Sequence, residues 1–139
     1  MEIKGKAIVL TNGVYNTKSA KTAHGLVRGS SRFDILGIID NKFYDNDAGK
    51  LLDGKHRNIP IYKSLLSFLN LNINIDYCII GVASAGGVLP EEMRSDIILS
   101  LKNNISIVNG LHSFLEDDLE ISEIAKINNT KLYDIRKPR

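Results

Sequence analysis

The sequence predicts an α/β fold of the Rossmann-like, doubly wound kind, a mostly parallel sheet with helices on both faces. Two observations lead there. Six strand-like runs recur with helical or turn-rich segments between them, and these runs are apolar throughout instead of alternating. Continuous apolar runs suit strands covered on both faces, and their alternation with helices is the pattern of βαβ units. With 139 residues and 43% apolar content, the chain is long enough for one ordinary hydrophobic core and too short for two, so a single domain over 1–139 is expected.

The strand-like runs cover residues 6–10, 34–39, 59–62, 76–83, 105–109 and 131–135, and the helix candidates cover 19–28, 65–69, 90–103 and 119–128. The runs that begin near Lys6, Phe33, Asp76 and Ile105 are expected at the centre of the sheet, since their apolar character is unbroken. The clearest helix starts at Pro90, carries Glu91 and Glu92 in its first turn, and places Met93, Ile97, Ile98 and Leu101 on one face. Proline at a helix start sacrifices no backbone donor, and early acidic residues complement the dipole. Residues 41–58 hold Gly, Asp, Asn and Lys with a short helical hint at 48–52, which reads mainly as a surface connection.

Composition narrows the function classes. Lys and Arg total 18 against 16 acidic residues, for a net charge of +2, with no basic block. Nothing calls for nucleic acid or a membrane surface as partner. The single cysteine, Cys78, sits in an apolar run and reads as a buried small hydrophobe in a reduced compartment. No signal-peptide core or membrane-length apolar run is visible, and the expected location is the cytoplasm.

In an open parallel sheet, ligands bind beyond the carboxyl ends of the strands. Four loops there carry candidate residues. The first runs from Thr11 through Asn12 and Gly13 to Lys21 and Thr22, a polar loop entering a helix that offers backbone amides to an anion, with Ser19 as helix cap the plainer reading. It matches neither G-x-G-x-x-G nor the P-loop pattern. The second is Asp40, placed where dinucleotide-binding folds grip a ribose hydroxyl pair, and equally where an Asp-Asn turn would sit. The third is Ser84-Ala85-Gly86-Gly87, whose small residues allow a ligand close to the backbone and whose glycines allow positive φ. The fourth includes Gly110 and His112, the histidine touching a ligand or capping the next segment. His24 and Arg28 share a helix face and are weak candidates for catalysis. His24, His56 and His112 show no metal-ligand spacing, and no metal site is expected.

Taken together, Ala7-Ile8-Val9-Leu10-Thr11-Asn12-Gly13, the stretch from Ala20 to Ser30 with His24-Gly25 and Arg28-Gly29, Gly37-Ile38-Ile39-Asp40, Asp47-Ala48-Gly49, Ile59-Pro60-Ile61-Tyr62, Gly86-Gly87 and Asn109-Gly110-Leu111-His112 resemble the DUF1611 family. The resemblance extends to Asp134-Ile135-Arg136-Lys137-Pro138 and covers essentially the whole chain. It implies the N-terminal Rossmann-like half of a two-domain protein, in which a P-loop half follows the Arg-Lys-Pro segment. Since the sequence stops at Arg139, an isolated N-terminal domain is expected, with the C-terminal P-loop domain as its missing partner. Family members include D-glutamate N-acetyltransferases, which implies acetyl-CoA and an acidic amino acid as ligands. A looser similarity, through Ile59-Pro60-Ile61-Tyr62-Lys63-Ser64-Leu65, reaches the CoA-binding domain of succinyl-CoA synthetase-like proteins.

The leading expectation is therefore a binding domain of an acetyltransferase-like enzyme, holding a small anionic or nucleotide-containing ligand such as acetyl-CoA against Asn12, Gly13, Lys21, Thr22, Asp40, Ser84, Gly86, Gly87, Gly110 and His112. One alternative is an NAD(P)-binding dehydrogenase-type domain, favoured by Asp40 and disfavoured by the missing glycine fingerprint. Another is a structural module without ligand, whose partner would be another copy in a homo-oligomer. Alone, the chain is expected to fold and to show no acetyl transfer, because no residue set supplies a nucleophile with its base or a complete P-loop.

Overall fold

A computed structural model describes residues 3–138. Six strands form one sheet in the order β3-β2-β1-β4-β5-β6, every neighbouring pair parallel. They are β1 (Gly5–Leu10), β2 (Phe33–Ile39), β3 (Ile61–Tyr62), β4 (Tyr77–Ile80), β5 (Ser106–Asn109) and β6 (Leu132–Asp134). The four strands expected at the centre are there. Ala7, Ile8, Val9 and Leu10 of β1 are wholly buried, and Ile79 and Ile80 of β4 nearly so.

The helices are α1 (Lys21–Arg28), α2 (Ala48–Asp53), α3 (Leu65–Leu69), α4 (Glu91–Lys102) and α5 (Leu119–Ile127). From β1 the chain winds outward through β2 to β3, then crosses back and winds the other way from β4 to β6. Right-handed crossovers in opposite directions put α1 and α2 on one face and α4 and α5 on the other, and α1 does pack on α2 and α4 on α5. The two directions of winding part between β1 and β4, which makes that boundary the switch point of the sheet.

Most helices begin where the sequence indicates, for local reasons. Asp118 caps α5 by accepting from the Ile121 amide at 3.0 Å, and Ser64 caps α3 by accepting from Ser67 at 3.1 Å. In α4 the buried positions are Met93, Ile97, Ser100 and Leu101, with Ile98 only half-buried. The segment 41–58 is mainly an exposed connection, as expected, and its helical hint at 48–52 is α2; Asp47 caps that helix, and its carboxylate accepts from the amides of Lys50, Arg57 and Ile59 at 2.9, 2.9 and 2.8 Å, tying both ends together. Two expectations need correction. The run at 76–83 leaves the sheet after Ile80, since the Ala83 amide turns to the Ser19 carbonyl at 2.8 Å. The helix expected from Ser19 opens as a 3-10 turn over Lys18–Ala20, and its cap is Thr17, whose hydroxyl accepts from the Ser19 amide at 3.2 Å.

Candidate functional site

Because all strands are parallel, the loops after β1, β2, β4 and β5 emerge on one edge. That places Asn12, Gly13, Asp40, Ser84, Gly86, Gly87, Gly110 and His112 along a common rim. What each does there differs from what its position alone suggested.

Asp40 anchors the β1 loop. Its carboxylate is wholly buried. Oδ2 accepts from the Thr11 hydroxyl at 2.7 Å and from the amides of Gly13 and Tyr15 at 2.9 and 3.0 Å, while Oδ1 accepts from Lys42 and Phe43 at 2.9 Å each. Five donors from its own chain saturate the carboxylate, so it is not free to grip a ribose, and that expectation is corrected. The same network holds Asn12 at φ 41° and Gly13 at φ 98°, the latter a left-handed conformation that glycine adopts at little cost.

His24 supports this loop from α1. Its Nε2–H donates to the Tyr15 carbonyl at 2.5 Å, and the two rings meet edge to face at 5.3 Å. Tyr15 in turn donates its hydroxyl to the Ala48 carbonyl at 2.7 Å, and burial, reinforced by Asp47, pushes the phenol up to about 12. A histidine fixed between backbone and an aromatic ring is a brace for the loop, not a free acid or base. Arg28 ends α1, and since that helix runs back against the strands, it lies toward the opposite end of the sheet from His112 and Gly86. The pair therefore forms no catalytic site on the rim.

The start of α1 is also closed. The Ala23 amide donates to the Gly81 carbonyl at 3.2 Å, and the Ser19 carbonyl accepts from Ala83. The approach is close enough that a Cβ at Gly81 would collide with Val9 and come within 3.1 Å of Ala23. Gly81 thus packs helix on strand, and its carbonyl stands where an anion would meet the helix amides. Lys21 and Thr22 are exposed outside this contact, so the expected anion nest is replaced by an internal contact.

On the far side of the switch point, the loops after β4 and β5 fasten to each other. Gly86 and Gly87 have φ of 71° and 69°, the positive values their sequence allowed. Gly87 is covered by the His112 side chain, and its carbonyl accepts from Ser113 at 2.9 Å. Ser84 donates its hydroxyl to the Val88 carbonyl. Asn109, buried below, donates to Ser113 and Asp134 at 2.9 and 2.8 Å and accepts from Leu111 at 3.0 Å. Asp134 also accepts from the amides of Leu115 and Glu116 at 2.9 and 3.0 Å.

A cavity of about 190 Å³ opens beyond the ends of β1, β2 and β3, lined by Asn12, Ile39, Asn41, Lys63, Ser64 and Asp96. Asp96 reaches it from α4, across the switch point, and its Oδ2 accepts from Asn12 Nδ2 at 3.2 Å. Burial pushes the Asp96 carboxyl up, with the Asn12 bond acting in the opposite sense. Asn12 Oδ1 is buried without a hydrogen-bond partner. Lys63 lies on the rim with its Nζ 5.4 Å from the centre of the Tyr44 ring. Of these residues the sequence pointed only to Asn12. Lys63 and Ser64 were within reach of the same rule, since they follow a strand end, whereas Asp96 sits inside a helix with no local signal. A larger groove, about 580 Å³, runs along the edge strand β6 from Ile3 and Arg32 to Lys137 and Pro138, and none of the expected site residues lines it. Among the described residues no group of three or more His, Cys, Asp or Glu is placed to hold a metal, and no helix is long and apolar enough to cross a membrane.

The parallel order 3-2-1-4-5-6 with a cavity at the switch point defines a Rossmann-like domain. Residues 41–138 match the profile of DUF1611_N, a Rossmann-like domain of unknown function, and the chain belongs to that family. A DUF1611 protein from Anabaena variabilis has a similar solved structure, with a TM-score of 0.85 and 24% identity over 98% of this chain and 38% of that one. A D-glutamate N-acetyltransferase from Tritonibacter scottomollicae is 30% identical over 60 residues, which is 43% of this chain and 18% of that protein. The homoserine dehydrogenase of S. aureus shares the fold at a TM-score of 0.58 and 11% identity, over 95% of this chain and 33% of that one. The chain thus spans well under half the length of each of these proteins.

Proposed function

We propose that this domain binds a nucleotide-containing ligand at the carboxyl edge of its sheet and serves as the ligand-binding half of an acetyl-CoA-dependent N-acetyltransferase acting on an acidic D-amino acid. The observation that carries the reading is the cavity beyond the ends of β1, β2 and β3, whose walls gather the polar side chains of Asn12, Asn41, Lys63, Ser64 and Asp96. Ligands of open parallel sheets bind beyond the carboxyl ends of the strands, in clefts where a few polar groups converge. The similarity to a D-glutamate N-acetyltransferase supports the choice of chemistry. A dehydrogenase reading is less well supported. Asp40 is saturated, the Gly81 carbonyl occupies the start of α1, and the likeness to a dehydrogenase extends to fold alone.

The test is a thermal-shift panel with acetyl-CoA, ATP, NAD, NADP and D-glutamate. A ligand at about 100 times its dissociation constant adds about 2.7 kcal/mol, enough to move the midpoint by several degrees. Acetyl-CoA is expected to raise it. A rise with NAD or NADP alone would favour the dehydrogenase reading, and no rise with any compound would favour a structural module. Incubated with acetyl-CoA and D-glutamate, this chain by itself is expected to release no free thiol, and turnover lost in His24→Ala would return His24 to a catalytic role.

A further inference from the structure

Two charged side chains of opposite sign line the cavity beyond β1, β2 and β3. Asp96 enters from α4, half-buried, and its hydrogen bond comes from the neutral amide of Asn12. Lys63 enters from the loop after β3, exposed, with its Nζ 5.4 Å from the centre of the Tyr44 ring. Among the described residues neither forms an ion pair, with the other or with a third group. Carboxylates elsewhere are better supplied: Asp118 has the Arg94 guanidinium, and Asp47 has three backbone amides. Burial raises the Asp96 carboxyl, as it does for a charge that lacks a compensating cation.

The volume of about 190 Å³ is below the roughly 300–1,000 Å³ of a complete small-molecule site. It is too small for a whole nucleotide and suits a molecule of amino-acid size. A ligand that brings a cation to Asp96 and an anion to Lys63 satisfies both side chains at once, and an amino acid carries those two charges within a few bonds of each other. We propose that this cavity seats the acidic amino acid that accepts the acetyl group, with Asp96 receiving its ammonium and Lys63, aided by the Asn41 amide, receiving a carboxylate. The assignment rests on the N-acetyltransferase reading above and deepens it by placing the acceptor. Acetylation replaces the ammonium by a neutral amide. The product therefore loses its charge-assisted bond to Asp96 while keeping the contact to Lys63, and the cavity favours substrate over product.

The experiment titrates the chain calorimetrically with D-glutamate, glutarate and N-acetyl-D-glutamate. Glutarate keeps both carboxylates and lacks only the amine. D-Glutamate is expected to bind about tenfold more tightly than either, which corresponds to about 1.4 kcal/mol. In Asp96→Asn the preference over glutarate should vanish through weaker binding of D-glutamate, with the melting transition confirming that the variant is folded. Lys63→Gln, at an exposed position, should weaken D-glutamate and glutarate alike. The proposal is overturned by equal binding of D-glutamate and glutarate to the unaltered chain, by no binding of D-glutamate, by a preference that survives Asp96→Asn, or by unchanged affinities in Lys63→Gln. If it fails while acetyl-CoA still raises the melting midpoint, the ligand-binding reading stands and the acceptor site falls. If neither acetyl-CoA nor D-glutamate binds, both fall.

Discussion

Asp40 and Asp134 stand in matching places on opposite halves of the sheet, one just after β2 and the other at the end of β6, and each is a buried carboxylate that gathers the loop of a neighbouring strand. Their surroundings then diverge. Beside Asp134, Asn109 uses both of its side-chain polar atoms within the chain, with bonds to Ser113, Asp134 and Leu111. Beside Asp40, Asn12 makes one bond to Asp96 and leaves its buried oxygen unpaired. The loops after β4 and β5 are thus polar but self-satisfied, while Asn12 at the end of β1 keeps one buried acceptor unmatched.

The comparison is broken most directly by removing the two carboxylates. In Asp40→Asn, even the better amide orientation points its NH2 at two backbone donors, Lys42 and Phe43. At roughly 1–3 kcal/mol for each unsatisfied donor, the cost is about 2–6 kcal/mol. In Asp134→Asn the NH2 can face the single Glu116 amide, for a cost of about 1–3 kcal/mol. Urea denaturation of both variants measures the difference, and a larger loss from Asp134→Asn would overturn the ranking.

Next in size is Gly81→Ala. The added methyl collides with Val9 and lies 3.1 Å from Ala23 and the Leu10 carbonyl, so an overpacking cost of about 2 kcal/mol is expected. If the variant melts with the native protein, α1 is not held against the strand as tightly as described.

Asp118 and Asp96 sharpen the comparison through pH. The Arg94 guanidinium, aided by the Ile121 amide, holds the Asp118 carboxyl at about 2, below its ordinary 3.8. A depressed carboxyl contributes stability that is full above 3.8 and is lost as pH falls toward about 2. Asp118→Ala should therefore cost about 1–2 kcal/mol near neutrality, from the cap and a partly exposed ion pair, and the gap should close in that acidic window. Asp96 has the opposite sign. Its carboxyl is raised by burial, so its charge costs stability increasingly as pH rises from 3.8 through the raised value. Asp96→Asn should lie within about 1 kcal/mol of the native protein, equal to it in acid and slightly more stable at neutral pH. Denaturation across that range measures both trends, and a destabilised Asp96→Asn at neutral pH would mean that the site carries no unmatched acceptor.

Much of the fold was legible along the chain. Each strand-like run contains a strand, although 76–83 shortens to Tyr77–Ile80 and 59–62 to Ile61–Tyr62, and the helix from Pro90 appears as Glu91–Lys102. The site was less legible. Asn12 lines the cavity beyond β1, while Asp40, for which the sequence leaves a ribose contact and a turn both open, and His24, a weak catalytic candidate, support the loop that carries Asn12.

The sequence by itself determined the alternation of apolar runs with helices, the parallel sheet that follows, and the edge on which ligand loops emerge, because burial of a strand on both faces is written into its own residues. Tertiary structure alone decided which polar groups are satisfied. Asp40 meets Gly13 and Tyr15 across 27 and 25 residues, and Asn12 meets Asp96 across 84. No local pattern encodes such pairings, for a carboxylate saturated by five donors and one left beside a cavity have the same side chain, and the neighbours that distinguish them are assembled only when the sheet closes.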